Sequence, residues 1–200
     1  MSIAIVVAVV YGIAFLGTVA LATIYKPRAH DIDNVILLAR KVDPTDLETL
    51  FDPGAEWSLR RSLTIGAFRT AQEDRIRLVR EYLRRVVHNT NLIHLWVMRE
   101  ERMLAGKDPK EYTQRDSLIV EAFDLATEIR LYWFGAGFRL WLWMVLRAYR
   151  WPSKVIPRVS DLRVQCGVDV IEKYRRLIGL AVVLGAWYGR AYHDRLLESL

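Results

Sequence analysis

Twenty-four consecutive residues without a charge, Ser2 to Tyr25 (SIAIVVAVVYGIAFLGTVALATIY), constrain this 200-residue chain more than any other feature. At about 1.5 Å per residue a helix of that length reaches roughly 36 Å, enough to cross a hydrocarbon core of about 30 Å. A secretory signal peptide is the competing reading, and Ala20-Leu21-Ala22 matches an A-x-A cleavage site. Signal peptides, however, carry a basic start and a shorter apolar run, and no Lys or Arg precedes this one. Residues 1–25 are therefore expected to be a transmembrane anchor. Lys26 and Arg28 follow at once, with Arg40 and Lys41 beyond. The positive-inside rule then places the N-terminus outside and residues 26–200 in the cytoplasm, at the inner membrane. One cysteine, Cys166, agrees with a reducing compartment. It reads as a small apolar side chain rather than a reactive thiol.

Beyond the anchor the pattern is all-α: a short helix in a linker over 26–52, then an antiparallel helical bundle with long amphipathic helices over 53–200. Asp43-Pro44, Asp52-Pro53 and Asp108-Pro109 each pair a capping carboxylate with a proline suited to the first helical turn. They predict helices starting near 44, 53 and 109. Between Gly54 and Gly106 the pattern is helical, with a break expected near Thr64–Thr70, where Thr70-Ala-Gln-Glu73 offers a restart by its capping-box form. Val79, Tyr82/Leu83, Val86, Thr90, Ile93, Val97 and Leu104 then recur on one buried stripe. No alternation of useful length predicts a strand. A last helix is expected from Ser160 or Asp161 to about Leu197.

The aromatic run LYWFGAGFRLWLWMVLRAYRW, residues 131–151, resembles an interrupted membrane span. Placed at 100° per residue, Ser117, Glu121, Asp124, Glu128, Tyr132, Gly135, Arg139, Trp143, Arg147 and Arg150 form one stripe, acidic first and basic last. That continuity predicts a single helix of about 35 residues, its carboxylates a solvated face, with Gly135 and Gly137 as the place for a bend. Arg139 would stand near the centre of a span, at about 2.5–3.5 kcal/mol. The run is better read as the aromatic end of a long amphipathic helix. Trp133, Trp141, Trp143 and Trp151, with Arg147, Arg150, Lys154 and Arg158, are then the expected contacts to a membrane surface or a partner. Tryptophan favours the headgroup zone, and each basic group near an anionic surface contributes about 1 kcal/mol.

Two rows of small residues, Ala4, Ala8, Gly12 and Ala181, Gly185, Gly189, permit close helix approach, inside the bundle or against a partner helix. Convergent chemistry is scarce. His88 and His94 lie about 240° apart around a helix, so they cannot share a metal. Glu121, Asp124 and Glu128 share a face but lack the Glu-x-x-His pairs of a di-iron bundle. No nucleotide-binding loop or hydrolase elbow occurs, and no cofactor, metal or catalytic residue is expected. The net charge of +6 suits anionic lipid better than nucleic acid, because the basic residues are interleaved with acids. These features point to a non-enzymatic accessory, assembly or scaffold subunit of a membrane complex, contacting lipid and other membrane subunits. One alternative is a membrane-associated enzyme for an amphiphile, using His94, Asp124 or Glu128. Another is a peripheral subunit of a respiratory or photosynthetic complex.

Overall fold

The computed structural model describes residues 31–104, 113–148 and 158–200. The expected anchor, with Ala4, Ala8 and Gly12, lies outside these residues, as do Trp151, Arg150, Lys154 and the Asp108-Pro109 start. Among the described residues no helix is long and apolar enough to cross a membrane.

Among the described residues seven helices form an all-α bundle with antiparallel packing. Three short ones come first: α1 (Ile32–Leu38), α2 (Pro44–Phe51) and α3 (Pro53–Ser62). Asp43 accepts from Thr45 N at 2.8 Å, and Asp52 accepts from Gly54 N at 2.9 Å and Ala55 N at 3.0 Å. Each Asp-Pro pair therefore starts a helix, and Asp52 also ends the one before it. The chain reverses at Leu63–Thr64 into α4 (Ile65–Leu104), 40 residues long. Its cap is Thr64, whose hydroxyl accepts from Ala67 N at 3.4 Å, rather than the capping box at Thr70. Thr70 lies inside the helix and bonds back to the Gly66 carbonyl at 3.3 Å.

The segment 31–62 runs antiparallel along the whole of α4. Asp31 pairs with Arg99, Arg40 with Asn89, Asp46 with Tyr82, the Leu50 carbonyl with Arg75, and Glu56 with Gln72. Ile32, Val35, Val42, Leu47 and Phe51 are buried in the common core. Residues 31–52, expected as a linker, thus form a strap that belongs to the bundle.

Helix α5 (Thr113–Ala148) is one unbroken helix of 36 residues, antiparallel to α4 through Arg115–Glu100, Phe123–His94 and Arg130–Asn91. The final segment departs from the single helix expected there. A 3₁₀ turn (Ser160–Leu162) leads into a minimal hairpin, β1 (Val164–Gln165) and β2 (Val168–Asp169). Cys166 and Gly167 both have positive φ, 54° and 78°, which a two-residue hairpin loop twisted to match its strands requires. The loop rests on α5 at Gly135, where an added Cβ would stand 2.9 Å from Cys166 Sγ. Gly135 therefore serves close approach rather than a bend. Asp169 caps α6 (Val170–Ala186), and α7 (Arg190–Ser199) folds back on it.

The expected row of small residues is split by this turn. Ala181 and Gly185 are buried in α6, but Gly189 has φ 123° and lies outside the helix, at the start of α7. A Cβ on Gly185 would stand 2.3 Å from Leu196 Cδ1 and 3.6 Å from Ile32 Cδ1, so the close approach is made by α7 of the same chain. Gly185→Leu is expected to destabilise by about 2 kcal/mol through overpacking. Leu196→Ala should recover part of that loss in urea melts, and simple additivity of the two losses would disprove the contact.

Candidate interaction surface

The charged stripe of α5 has a different neighbour from the expected solvent. Glu121 pairs with Arg176 of α6, and Glu128 with Lys173 at 2.7 Å. Tyr132, fully buried, donates its hydroxyl to the Leu162 carbonyl at 2.6 Å, and Arg139 reaches the Asp161 carbonyl at 3.4 Å. Burial pushes the Tyr132 phenol strongly up, so it stays a neutral donor. The stripe is thus the seam with α6 and the hairpin. Asp124, one step further round, is exposed, as are Ser117 and Arg139.

The outward ridge of α5 is apolar instead. Val120, Phe123, Leu131, Phe134 and Leu142 are exposed. Helix α5 is accordingly only weakly amphipathic, because its apolar residues face both the core and solvent. The expected tryptophan surface is redistributed. Trp133 and Trp143 are half-buried and pack against the core, while Trp141 stacks on Phe138 at 5.9 Å. The Arg147 side chain lies outside the described residues, and Arg158 is exposed.

A second exposed region gathers where α3 and α4 are tied to the 3₁₀ turn. Buried Glu56 accepts from Gln72 Nε2 at 2.8 Å and from Ser160 N at 3.1 Å, tying α3 to the 3₁₀ turn beside Arg139. Around this tie Ile65 is 75% and Trp57 61% exposed, with Arg61 over the Trp57 ring at 5.1 Å. Arg60, Arg61, Arg139 and Arg158 are all exposed, and no ion pair engages them among the described residues. Sequence reasoning found Arg158 here but missed Trp57, Arg60, Arg61 and Ile65. The only signal was Trp57 beside two arginines in a short capped helix.

Residues named for an enzyme do not converge. His94 sits in the α4–α5 seam, its ring 4.8 Å from Phe123, while Asp124 faces solvent and Glu128 is paired with α6. Burial first, and the Arg130 charge second, hold His94 down at a pKa of about 4, so it is neutral at pH 7. Its Nδ1 has no hydrogen-bond partner among the described residues. His88 bonds the Leu38 carbonyl at 3.0 Å. Glu100, buried, receives Arg115 at 2.6 Å, and Arg115 in turn lies 5.7 Å from the Trp187 ring and 5.8 Å from the Tyr188 ring. This cluster locks the α6–α7 turn onto the junction of α4 and α5. A hollow of about 260 Å³ between Lys41, Asp43, Arg175 and Glu198 is shallow, and two of its charges are already used: Asp43 caps α2 and Arg175 pairs with Glu48 at 2.7 Å. Among the described residues no group of three or more His, Cys, Asp or Glu side chains could hold a metal ion.

What the geometry defines is a helical bundle with two exposed apolar surfaces, one flanked by exposed arginines that make no ion pair among the described residues. No protein-family model matches the chain, and no curated protein or solved structure matches it.

Proposed function

We propose that the chain is a membrane-anchored accessory or scaffold subunit, held by residues 1–25 with its bundle lying along the cytoplasmic leaflet. The observation that carries this reading is the end of the bundle where Trp57 and Ile65 stand exposed among Arg60, Arg61, Arg139 and Arg158. Apolar and aromatic side chains ringed by arginines suit the headgroup zone of an anionic bilayer. Arg150 and Lys154 add charge to the same part of the sequence. A flat orientation follows from the position of residue 31. It sits beside Arg99, whereas Ile65 is 34 residues away at the other end of α4, about 50 Å distant. Residues 26–30 reach at most about 18 Å. Anchor and arginine-rich end meet one bilayer only if α4 and α5 run parallel to it.

The test uses the full chain with a protease site placed within 26–30, reconstituted in vesicles containing phosphatidylserine. After cleavage the bundle is expected to stay bound at low salt and to leave as salt rises. Arg60→Glu with Arg61→Glu and Arg158→Glu should release it even at low salt. A bundle that leaves at once on cleavage, or that ignores both salt and charge reversal, would sink the lipid part of the proposal. Purification from native membranes in mild detergent reads the scaffold part, which requires stoichiometric companions.

A further inference from the structure

The outward ridge of α5 has the spacing of a helix-pairing seam. Val120, Phe123, Thr127, Leu131, Phe134, Phe138 and Leu142 follow one another at intervals of three or four residues. All but Phe138 are exposed; Val120 is at 56% and Leu131 at 51%. From Val120 to Leu142 the ridge is about 33 Å long. A contiguous apolar ridge of this extent marks an interaction site in a folded chain.

Two properties of the ridge specify its occupant. It is symmetric about Leu131, with Val120 and Leu142 each eleven residues away. Laid against a reversed copy of itself, Val120 meets the partner's Leu142, Thr127 meets the partner's Phe134 and Leu131 meets the partner's Leu131. The charges obey the same reversal. Asp124 and Arg139 are both exposed, seven and eight residues either side of Leu131. At 100° per residue both fall on the flank that faces α6. A two-fold axis perpendicular to an antiparallel pair keeps each flank on its own side, so each Asp124 meets the partner's Arg139. A parallel copy would put the two α6 flanks on opposite sides of the pair and leave Asp124 and Arg139 without these partners, and an anionic bilayer would repel Asp124.

We propose that α5 is a homodimer interface, pairing antiparallel with α5 of a second copy about a two-fold axis at Leu131, with Asp124 and Arg139 bridged reciprocally. Pairing takes Arg139 out of the lipid-facing cluster and leaves it Arg60, Arg61 and Arg158, and a chain with no affinity for lipid would still pair through this ridge.

Cysteine cross-linking of the full chain in mild detergent, in a Cys166→Ser background, tests the register. Leu131→Cys is expected to form a disulfide dimer of about twice 23.3 kDa under mild oxidation. Bridged cysteines need Cα atoms within about 7 Å, which only residues near the axis satisfy against themselves. Val120→Cys alone should stay monomeric, its two copies lying about 33 Å apart. Val120→Cys with Leu142→Cys should cross-link. A monomeric Leu131→Cys, or a Val120→Cys that dimerises as readily, would overturn the proposal. Charge exchange gives a second reading. Asp124→Arg should weaken association on the order of tenfold in sedimentation equilibrium, two reversed pairs amounting to about 1.4 kcal/mol. Adding Arg139→Asp should restore it. Unchanged association in Asp124→Arg would also overturn the proposal.

Discussion

Asn89→Ala is expected to lower the stability of the bundle by about 3 kcal/mol, since each buried polar group left without a partner costs about 1–3 kcal/mol. Asn89 is fully buried in α4, where an amide has no reason to be unless it is bonded. Its Oδ1 accepts from Arg40 N at 2.9 Å, and its Nδ2 donates to the Arg40 carbonyl at 2.7 Å and to the Tyr174 hydroxyl at 2.8 Å. One side chain therefore satisfies the backbone between α1 and α2 and a buried phenol of α6. Burial pushes the Tyr174 phenol strongly up, so ionisation offers it no escape from the lost bond. Arg40 is near the surface and water can replace part of its loss, which keeps the figure below the sum of three full penalties. Urea melts should show a lower midpoint with an unchanged slope. In a Tyr174→Phe background the same substitution should cost less, because one orphaned group is already gone. A loss under about 0.5 kcal/mol, the scale of an ordinary surface substitution, would mean that the amide does not hold the strap.

The second large effect is a pH dependence set by His94. The folded state keeps it neutral down to about pH 4, whereas the unfolded chain protonates it near pH 6.5. Between those values the unfolded state binds more protons, so stability falls as pH falls. The contribution is complete above about pH 6.5 and declines by about 1.4 kcal/mol per unit below it, about 3 kcal/mol in all. Carboxylates titrate over part of the same range, so the informative quantity is wild type minus His94→Gln, measured by urea melts from pH 4 to 7. That difference should slope across the window. A flat difference would place the imidazole in water rather than in the seam against Phe123.

Much of the architecture was legible because local chemistry dictated it. Asp43-Pro44 and Asp52-Pro53 start α2 and α3 where caps and prolines require, and the phase of residues 117–147 gives one long helix. The break before α4 falls at the edge of the expected interval Thr64–Thr70, but the helix restarts from Thr64 rather than from the capping box at Thr70, because the two compete as caps and only tertiary contact decides between them. The turn at Trp187–Gly189 was hidden because glycine at 189 continues a helical row of small residues as easily as it ends one. The hairpin at 164–169 carries two residues per strand, too few for any periodicity, and its Cys166-Gly167 loop lacks the usual Asn or Asp. For the surface, periodicity correctly grouped Glu121, Glu128 and Arg139 on one stripe. It could not say what that stripe faces. The lysine and arginine of α6 that meet it lie more than 40 residues further along the chain. The apolar ridge became visible only once the core side of α5 was fixed.

The strap has a mechanical consequence. Because 31–62 runs antiparallel to α4, residue 31 and the C-terminal end of α4 lie at the same end of the bundle. A load that pulls them apart acts as on a zipper, opening Asp31–Arg99 first, then Arg40–Asn89, then the contacts of α2 and α3 in turn. The same load applied between residue 31 and the Ile65 end would shear all of them together and meet far greater resistance. Prolines 44 and 53 divide the strap into three short rods, so peeling would proceed in three steps with Asn89 guarding the second.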